Sequence, residues 1–262
     1  MLGGPLIHDR IYHWRRKLFR WGIWNILYRS WFKLHVDGWE NIPADGPVLM
    51  IGNHIHALDP VVMISFYPDR DIIPMAKIEA FSEPIIRYFV THYGAIPVSR
   101  GEADLKALKT TLEYIQRGYI GMLYAEGTRS RTGLIQGQEG SAFIALKTGA
   151  LLVPVAIWGT RDWPSSWVRD LKRTDIYVRF GRPFRLKQPE GRARDHLRAM
   201  TDECMYRIAE LLPEEWRGVY SDLSQATTNY LDFDVKWRPV TRRIPRRVLT
   251  FAPQAGPQPG AG

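Results

Sequence analysis

Hydrophobic residues recur at two different periods along the chain, and the change between them divides it. Between residues 10 and 22, Ile11, Trp14, Leu18 and Trp21 fall on one stripe at helical spacing, while Arg15, Arg16 and Arg20 lie off it. From 23 to 32 the segment is apolar on nearly every side and includes Trp24, Tyr28, Trp31 and Phe32. Residues 10–33 are therefore predicted as one helix in two zones. From residue 47 the pattern alternates. Short apolar runs at 47–52, 72–76, 94–98, 119–125, 151–158 and 175–180 read as strands. Between them, amphipathic stretches at 104–117 and 140–148 read as helices stopped by Gly118 and Gly149, and 192–212 as a long helix before Pro213. Asp59-Pro60 opens another helix, with aspartate as N-cap and proline at the first helical position. Strands separated by helices predict an α/β fold: a mostly parallel mixed sheet flanked by helices, preceded by an N-terminal helical segment.

Charge sharpens the division. The chain of 262 residues has a formal net charge of +9, but residues 1–33 carry a net +6 and residues 236–262 another +6, which leaves the body at −3. Basicity confined to the ends argues against a nucleic-acid groove through the body. Arginine mixed with tryptophan in residues 10–33 is the chemistry of a helix lying in the headgroup layer of a membrane; the alternative is a helix packed on its own domain. No run reaches the roughly 18 apolar residues of a spanning helix. Cys204 is the single cysteine, so no internal disulfide is expected and the compartment is read as reducing. The Pro, Gly and Arg content after residue 236 predicts a tail, disordered at least beyond Pro253.

Three loops at strand ends carry the candidate chemistry. Gly52-Asn53-His54-Ile55-His56-Ala57-Leu58-Asp59 follows the first strand. An imidazole titrates near pH ~6.5, and a carboxylate on its second nitrogen fixes the tautomer and stabilises the cation, so His54 and Asp59 read as a base with its orienter. The same residues, with His56, also suit part of a metal site. Gly94-Ala95-Ile96-Pro97-Val98-Ser99-Arg100 and Tyr124-Ala125-Glu126-Gly127-Thr128-Arg129-Ser130 end two further strands on the same sheet edge. Arginine forks, a hydroxyl and glycine amides suit a phosphate monoester.

In this order, Asn-His-x4-Asp, Gly-Ala-Ile-Pro-Val-x-Arg, Glu-Gly-Thr-Arg-Ser and Val153-Pro154-Val155-Ala156-Ile157 resemble the four motifs of the glycerolipid acyltransferases, and among them the type acting on lysophosphatidate. The resemblance runs from about residue 38 to 220. It implies an enzyme that moves an acyl chain from acyl-CoA or acyl-carrier protein to the 2-hydroxyl of a lysophospholipid. His54 is implied as general base and Asp59 as its orienter. Lys77, Arg100, Glu126, Gly127, Thr128 and Arg129 are implied around the acceptor's phosphate, and Val153, Pro154 and Val155 on the acyl-donor side. No cofactor or metal is implied. Residues 1–37 would be a membrane anchor, 38–235 the catalytic domain and 236–262 a basic tail, and the protein would sit on the cytosolic face of the cell membrane. His56 stands where the family often has serine or glutamine, and Glu139 in a neighbourhood where it often has lysine. Other acceptors, such as glycerol 3-phosphate, and a metal-dependent hydrolase using His54, His56 and Asp59 are the alternative readings.

Overall fold

The computed structural model describes residues 14–22, 30–66, 70–82, 84–98, 105–161, 163, 173–240 and 248–250. Ten short strands carry the architecture: β1 (Phe32–Asp37), β2 (Val48–Gly52), β3 (Ile72–Lys77), β4 (Ile96–Val98), β5 (Ile120–Tyr124), β6 (Leu151–Trp158), β7 (Thr174–Phe180), β8 (Arg185–Leu186), β9 (Leu231–Asp232) and β10 (Val248–Thr250). The helices are α1 (residues 14–22), α2 (Asp59–Phe66), α3 (Pro84–Tyr93), α4 (Leu105–Gln116), α5 (Glu139–Thr148) and α6 (Leu197–Ala209). Eight strands form one sheet in the order β10-β1-β7-β6-β2-β5-β3-β4, and β8 pairs with β9 in a separate ribbon. Every neighbouring pair in the large sheet is parallel except β6 with β7. This is the predicted mostly parallel mixed sheet flanked by helices.

The period of two explains why the centre of the sheet is buried on both sides. Along β2, Val48 and Met50 join one core with Val62 and Met63 of α2, while Leu49 and Ile51 join another with Cys204, Met205 and Ile208 of α6. A strand covered on both faces has no polar position to alternate, so β2 and β6 read as unbroken apolar runs. At the β1–β7 end only Phe32, Leu34 and Val36, with Ile176, Val178 and Phe180, are fully buried; Lys33, His35 and Asp37 alternate between them. Gly149 stops α5 in the left-handed region, at φ 59°, as its position in the sequence predicts.

Four expectations are corrected. Phe32 and Lys33 belong to β1, not to a helix running to residue 33, so the sheet begins inside the segment assigned to an anchor. The long helix near the C-terminus begins as a 3-10 turn, Ala193–His196, and its α-helical part ends at Ala209. Helix α3 was not predicted. The basic tail is partly built into the fold: Arg238 pairs with Asp45 at 2.7 Å, the Val240 amide donates to the Ile42 carbonyl, and β10 extends the sheet beside β1. Of the predicted anchor and tail, residues 1–13, 23–29, 241–247 and 251–262 lie outside the described residues.

Helix α1 is turned over relative to ordinary amphipathic logic. Arg16 and Arg20 are buried and share the carboxylate of Asp71, at 3.3 and 2.6 Å, and Arg16 Nε donates to the Tyr93 carbonyl. The Arg16 guanidinium lies between the rings of Tyr93 and Tyr119, 5.4 and 5.2 Å from their centroids. Trp14, Leu18 and Trp21 are more than half exposed on the other side. Among the described residues no helix is long and apolar enough to cross a membrane.

Candidate active site

Strands β2, β5 and β6 run parallel at the centre of the sheet, and Gly52 and Tyr124, which close β2 and β5, are in register with Val155 midway along β6. The loop leaving β2 is gripped on both sides. The Asn53 carboxamide forms two 2.8 Å bonds with the backbone of Ile157, its Nδ2 donating to the carbonyl and its Oδ1 accepting from the amide. The His54 amide donates to Glu126 Oε1 at 2.9 Å, and the His54 carbonyl accepts from the Ser130 amide at 2.7 Å.

His54 Nδ1 lies 2.9 Å from Asp59 Oδ2. That oxygen also accepts from the amides of Ile55, at 2.6 Å, and His56, at 2.8 Å. The second oxygen, Oδ1, accepts from the Thr160 hydroxyl at 2.7 Å. An acceptor carboxylate facing Nδ1 places the hydrogen on Nδ1 and leaves Nε2 with its lone pair. Asp59 is fully buried, while the His54 side chain keeps 17% of its surface. The carboxylate therefore does not cap its own helix, as Asp59-Pro60 suggested; it points backward and organises the loop before it. Tyr124 stacks against the imidazole, with centroids 4.2 Å apart and planes 22° apart. Its hydroxyl is buried without a hydrogen-bond partner among the described residues.

Glu126 is 2% exposed, and its second oxygen accepts from the Ile135 amide at 2.9 Å. Burial raises its pKa to about 7 against the opposing pull of the two amides. It is a brace between two loops, and the expectation that it faces a phosphate is corrected: both oxygens are turned into the protein. Gly127 turns the chain at φ 63°, where a Cβ would press on the Gln138 side chain at 2.9 Å. Thr128 and Arg129 beyond it are exposed. His56 is held below the usual histidine range, first by burial and then by the charges of Arg131 and Arg129, with Asp59 opposing.

The other sequence candidates are scattered. Val153 and Val155 are fully buried in the interior of β6, and Pro154 lies between them in the same strand, so these residues are sheet core and do not line an acyl-donor surface. Lys77 closes β3 in register with Val98; only its backbone is described. Arg100 lies outside the described residues. As metal ligands the histidines do not converge. Asp59 has its oxygens taken by four donors, the His56 Nδ1 accepts from the Leu58 amide at 3.3 Å, and among the described residues no group of three His, Cys, Asp or Glu side chains is gathered for an ion. Sequence reading missed Thr160 and gave Asn53 no role of its own, because each bonds a partner about 100 residues away, with no local spacing to mark it.

Residues 33–158 match the family model described as Acyltransferase. The chloroplastic 1-acyl-sn-glycerol-3-phosphate acyltransferase of Arabidopsis thaliana is 30% identical over 155 residues, covering 58% of this chain and 42% of that protein. A 1-acyl-sn-glycerol-3-phosphate acyltransferase of Borreliella burgdorferi is 33% identical over 144 residues, 52% of this chain and 56% of that one. The chain thus spans about half the length of these curated relatives. A solved 1-acyl-sn-glycerophosphate acyltransferase from Thermotoga maritima aligns with a TM-score of 0.48 at 23% identity, covering 74% of this chain and 75% of that one. The histidine, the aspartate and the Glu-Gly-Thr-Arg turn all fall within residues 33–158, the stretch that matches the acyltransferase model.

Proposed function

We propose that the protein transfers an acyl chain from an acyl thioester, carried by CoA or by acyl-carrier protein, to the 2-hydroxyl of lysophosphatidate, forming phosphatidate in phospholipid biosynthesis. The observation that supports this reading best is the imidazole of His54, oriented through Nδ1 by a buried carboxylate at 2.9 Å and free at Nε2. As the acceptor oxygen bonds to the thioester carbonyl carbon, Nε2 takes the hydroxyl proton. Collapse of the tetrahedral adduct breaks the C–S bond, and the imidazolium returns that proton to the leaving thiolate. Asp59 stabilises the transient cation. The reaction needs no redox partner and no covalent enzyme intermediate.

Exposed Arg129 and Thr128, with Lys77 and Arg100, are the groups assigned to the acceptor's phosphate. The outward Trp14, Leu18 and Trp21 suit attachment to the cytosolic face of the cell membrane, where the lysolipid resides and the soluble donor can reach it.

The test is thiol release from a long-chain acyl-CoA, with and without lysophosphatidate in detergent, and with a chelator control. Acceptor-dependent, chelator-resistant release is expected, and His54→Ala should lower it by roughly 10²–10⁴-fold. A folded protein that releases no thiol from either donor class, or a His54→Ala variant that turns over normally, overturns the reading.

A further inference from the structure

The four hydrogen bonds on Asp59 are unevenly divided. Oδ2 accepts three, from the His54 ring and the amides of Ile55 and His56, whereas Oδ1 accepts one, from the Thr160 hydroxyl at 2.7 Å. A carboxylate is symmetric about its Cβ–Cγ bond, so the imidazole alone does not determine how its plane is set. A donor fixed on the far oxygen does. Both Thr160 and Asp59 are fully buried, so bulk solvent does not reach the oxygen that the hydroxyl serves. A carboxylate that accepts on both sides leaves the threonine hydroxyl the role of donor.

Thr160 is placed by the turn that ends β6. Gly159 adopts φ 89°, and a Cβ there would collide with the Asp175 carbonyl, so the turn admits little besides glycine. The same strand grips the other side of the loop through Ile157 and the Asn53 carboxamide. The far end of β6 thus holds the residue before the imidazole and the acid behind it.

We propose that Thr160 is a positioning residue for the transfer reaction, acting on His54 through the carboxylate of Asp59. This rests on the function proposed above, and the experiment separates the two. Thr160→Val keeps the shape of the side chain and removes the donor. A bond to a charged group of this kind corresponds to roughly a ten- to hundredfold loss in kcat, with KM within about twofold. Thr160→Ser should restore kcat to near the wild-type value. In an Asp59→Asn background Thr160→Val should cost less than about twofold, because its effect passes through the missing carboxylate.

A second readout needs no turnover: the proton resonance of the His54 Nδ1–H, recorded on the full chain without substrate, should move in Thr160→Val and return in Thr160→Ser. Wild-type kcat in Thr160→Val, an equal loss with and without Asp59, or an unmoved resonance overturns the proposal. An inactive wild type whose resonance still responds to Thr160 overturns the reaction and leaves the positioning contact standing. If Thr160→Val fails to fold, Thr160→Cys replaces it as a weak donor of similar size; activity and resonance equal to those of Thr160→Ser would overturn the proposal.

Discussion

Glu126 carries a carboxylate where charge is expensive, and that has a measurable sign. Its pKa rises from 4.5 to about 7 on folding because burial disfavours the anion. Between those values the folded protein holds a proton that the unfolded chain has released. The contribution to stability is complete below pH 4.5 and is lost as pH rises towards 7. Glu126→Gln removes the titration, so the melting temperature of the variant should fall less than that of the wild type across this window. Parallel profiles would sink the assignment. The contact between His54 and Asp59 was legible in the sequence because the imidazole and the carboxylate lie five residues apart. Glu126 was visible as a residue and misread in its role, since spacing says nothing about which way a side chain turns. Thr160 and the Tyr124 platform under the imidazole were not legible: their contacts depend on which strands lie side by side.

At the level of elements, the α1 helix keeps the predicted stripe and adds, on its other face, contacts that its own segment does not announce. The stripe of Trp14, Leu18 and Trp21 exists, yet it faces away from the protein while the arginines face in. The reason is Asp71, at the start of β3, whose carboxylate takes both guanidinium groups out of water. Nothing in the first 33 residues announces a counter-ion some 50 positions later. Removing one partner of a buried ion pair leaves an uncompensated charge worth about 3–5 kcal/mol. Asp71→Asn should therefore undock α1, opening the buried Arg16 and Arg20 to trypsin while the sheet stays folded. Unchanged protection of these sites would show that the helix is held otherwise. The interior strands were legible almost to the residue, β6 as 151–158, because two-sided burial writes an unbroken apolar run. Strands β1 and β10, at one end of the sheet, were not: β1 buries only alternate residues and β10 spans three, so each leaves a weaker pattern.

For the whole molecule, the described parts of the two basic ends are joined to the fold, Arg16 and Arg20 through Asp71 and Arg238 through Asp45. The stretch just before the C-terminal basic end is tied down through Glu203, a buried carboxylate that accepts from the Thr227 hydroxyl and from the amides of Asn229 and Tyr230. At the other end Arg16 and Arg20 face inward, so attachment through α1 should depend on the outward Trp14, Leu18 and Trp21 with the exposed Arg15 and Lys17 beside them. Replacing Trp14, Leu18 and Trp21 together by serine should weaken binding to phosphatidylglycerol-containing vesicles roughly tenfold or more in a co-sedimentation assay. Unchanged partitioning would remove α1 from the membrane reading.

The place of β1 in the sheet also sets an order of assembly. Its neighbours are β7 and β10, and Leu34 stands opposite Ile176 on one side and Val248 on the other. Strand β1 thus has no partner until the ribosome has added about 140 more residues, and its second edge stays open for about 70 beyond those. Closing loops of that length is entropically costly and slow, and an unpaired edge invites pairing with another chain. The alternation of Lys33, His35 and Asp37 along β1 interrupts its apolar surface during that wait. Translation speed and chaperone access, more than the strength of the finished core, should govern how much of this protein reaches its folded state.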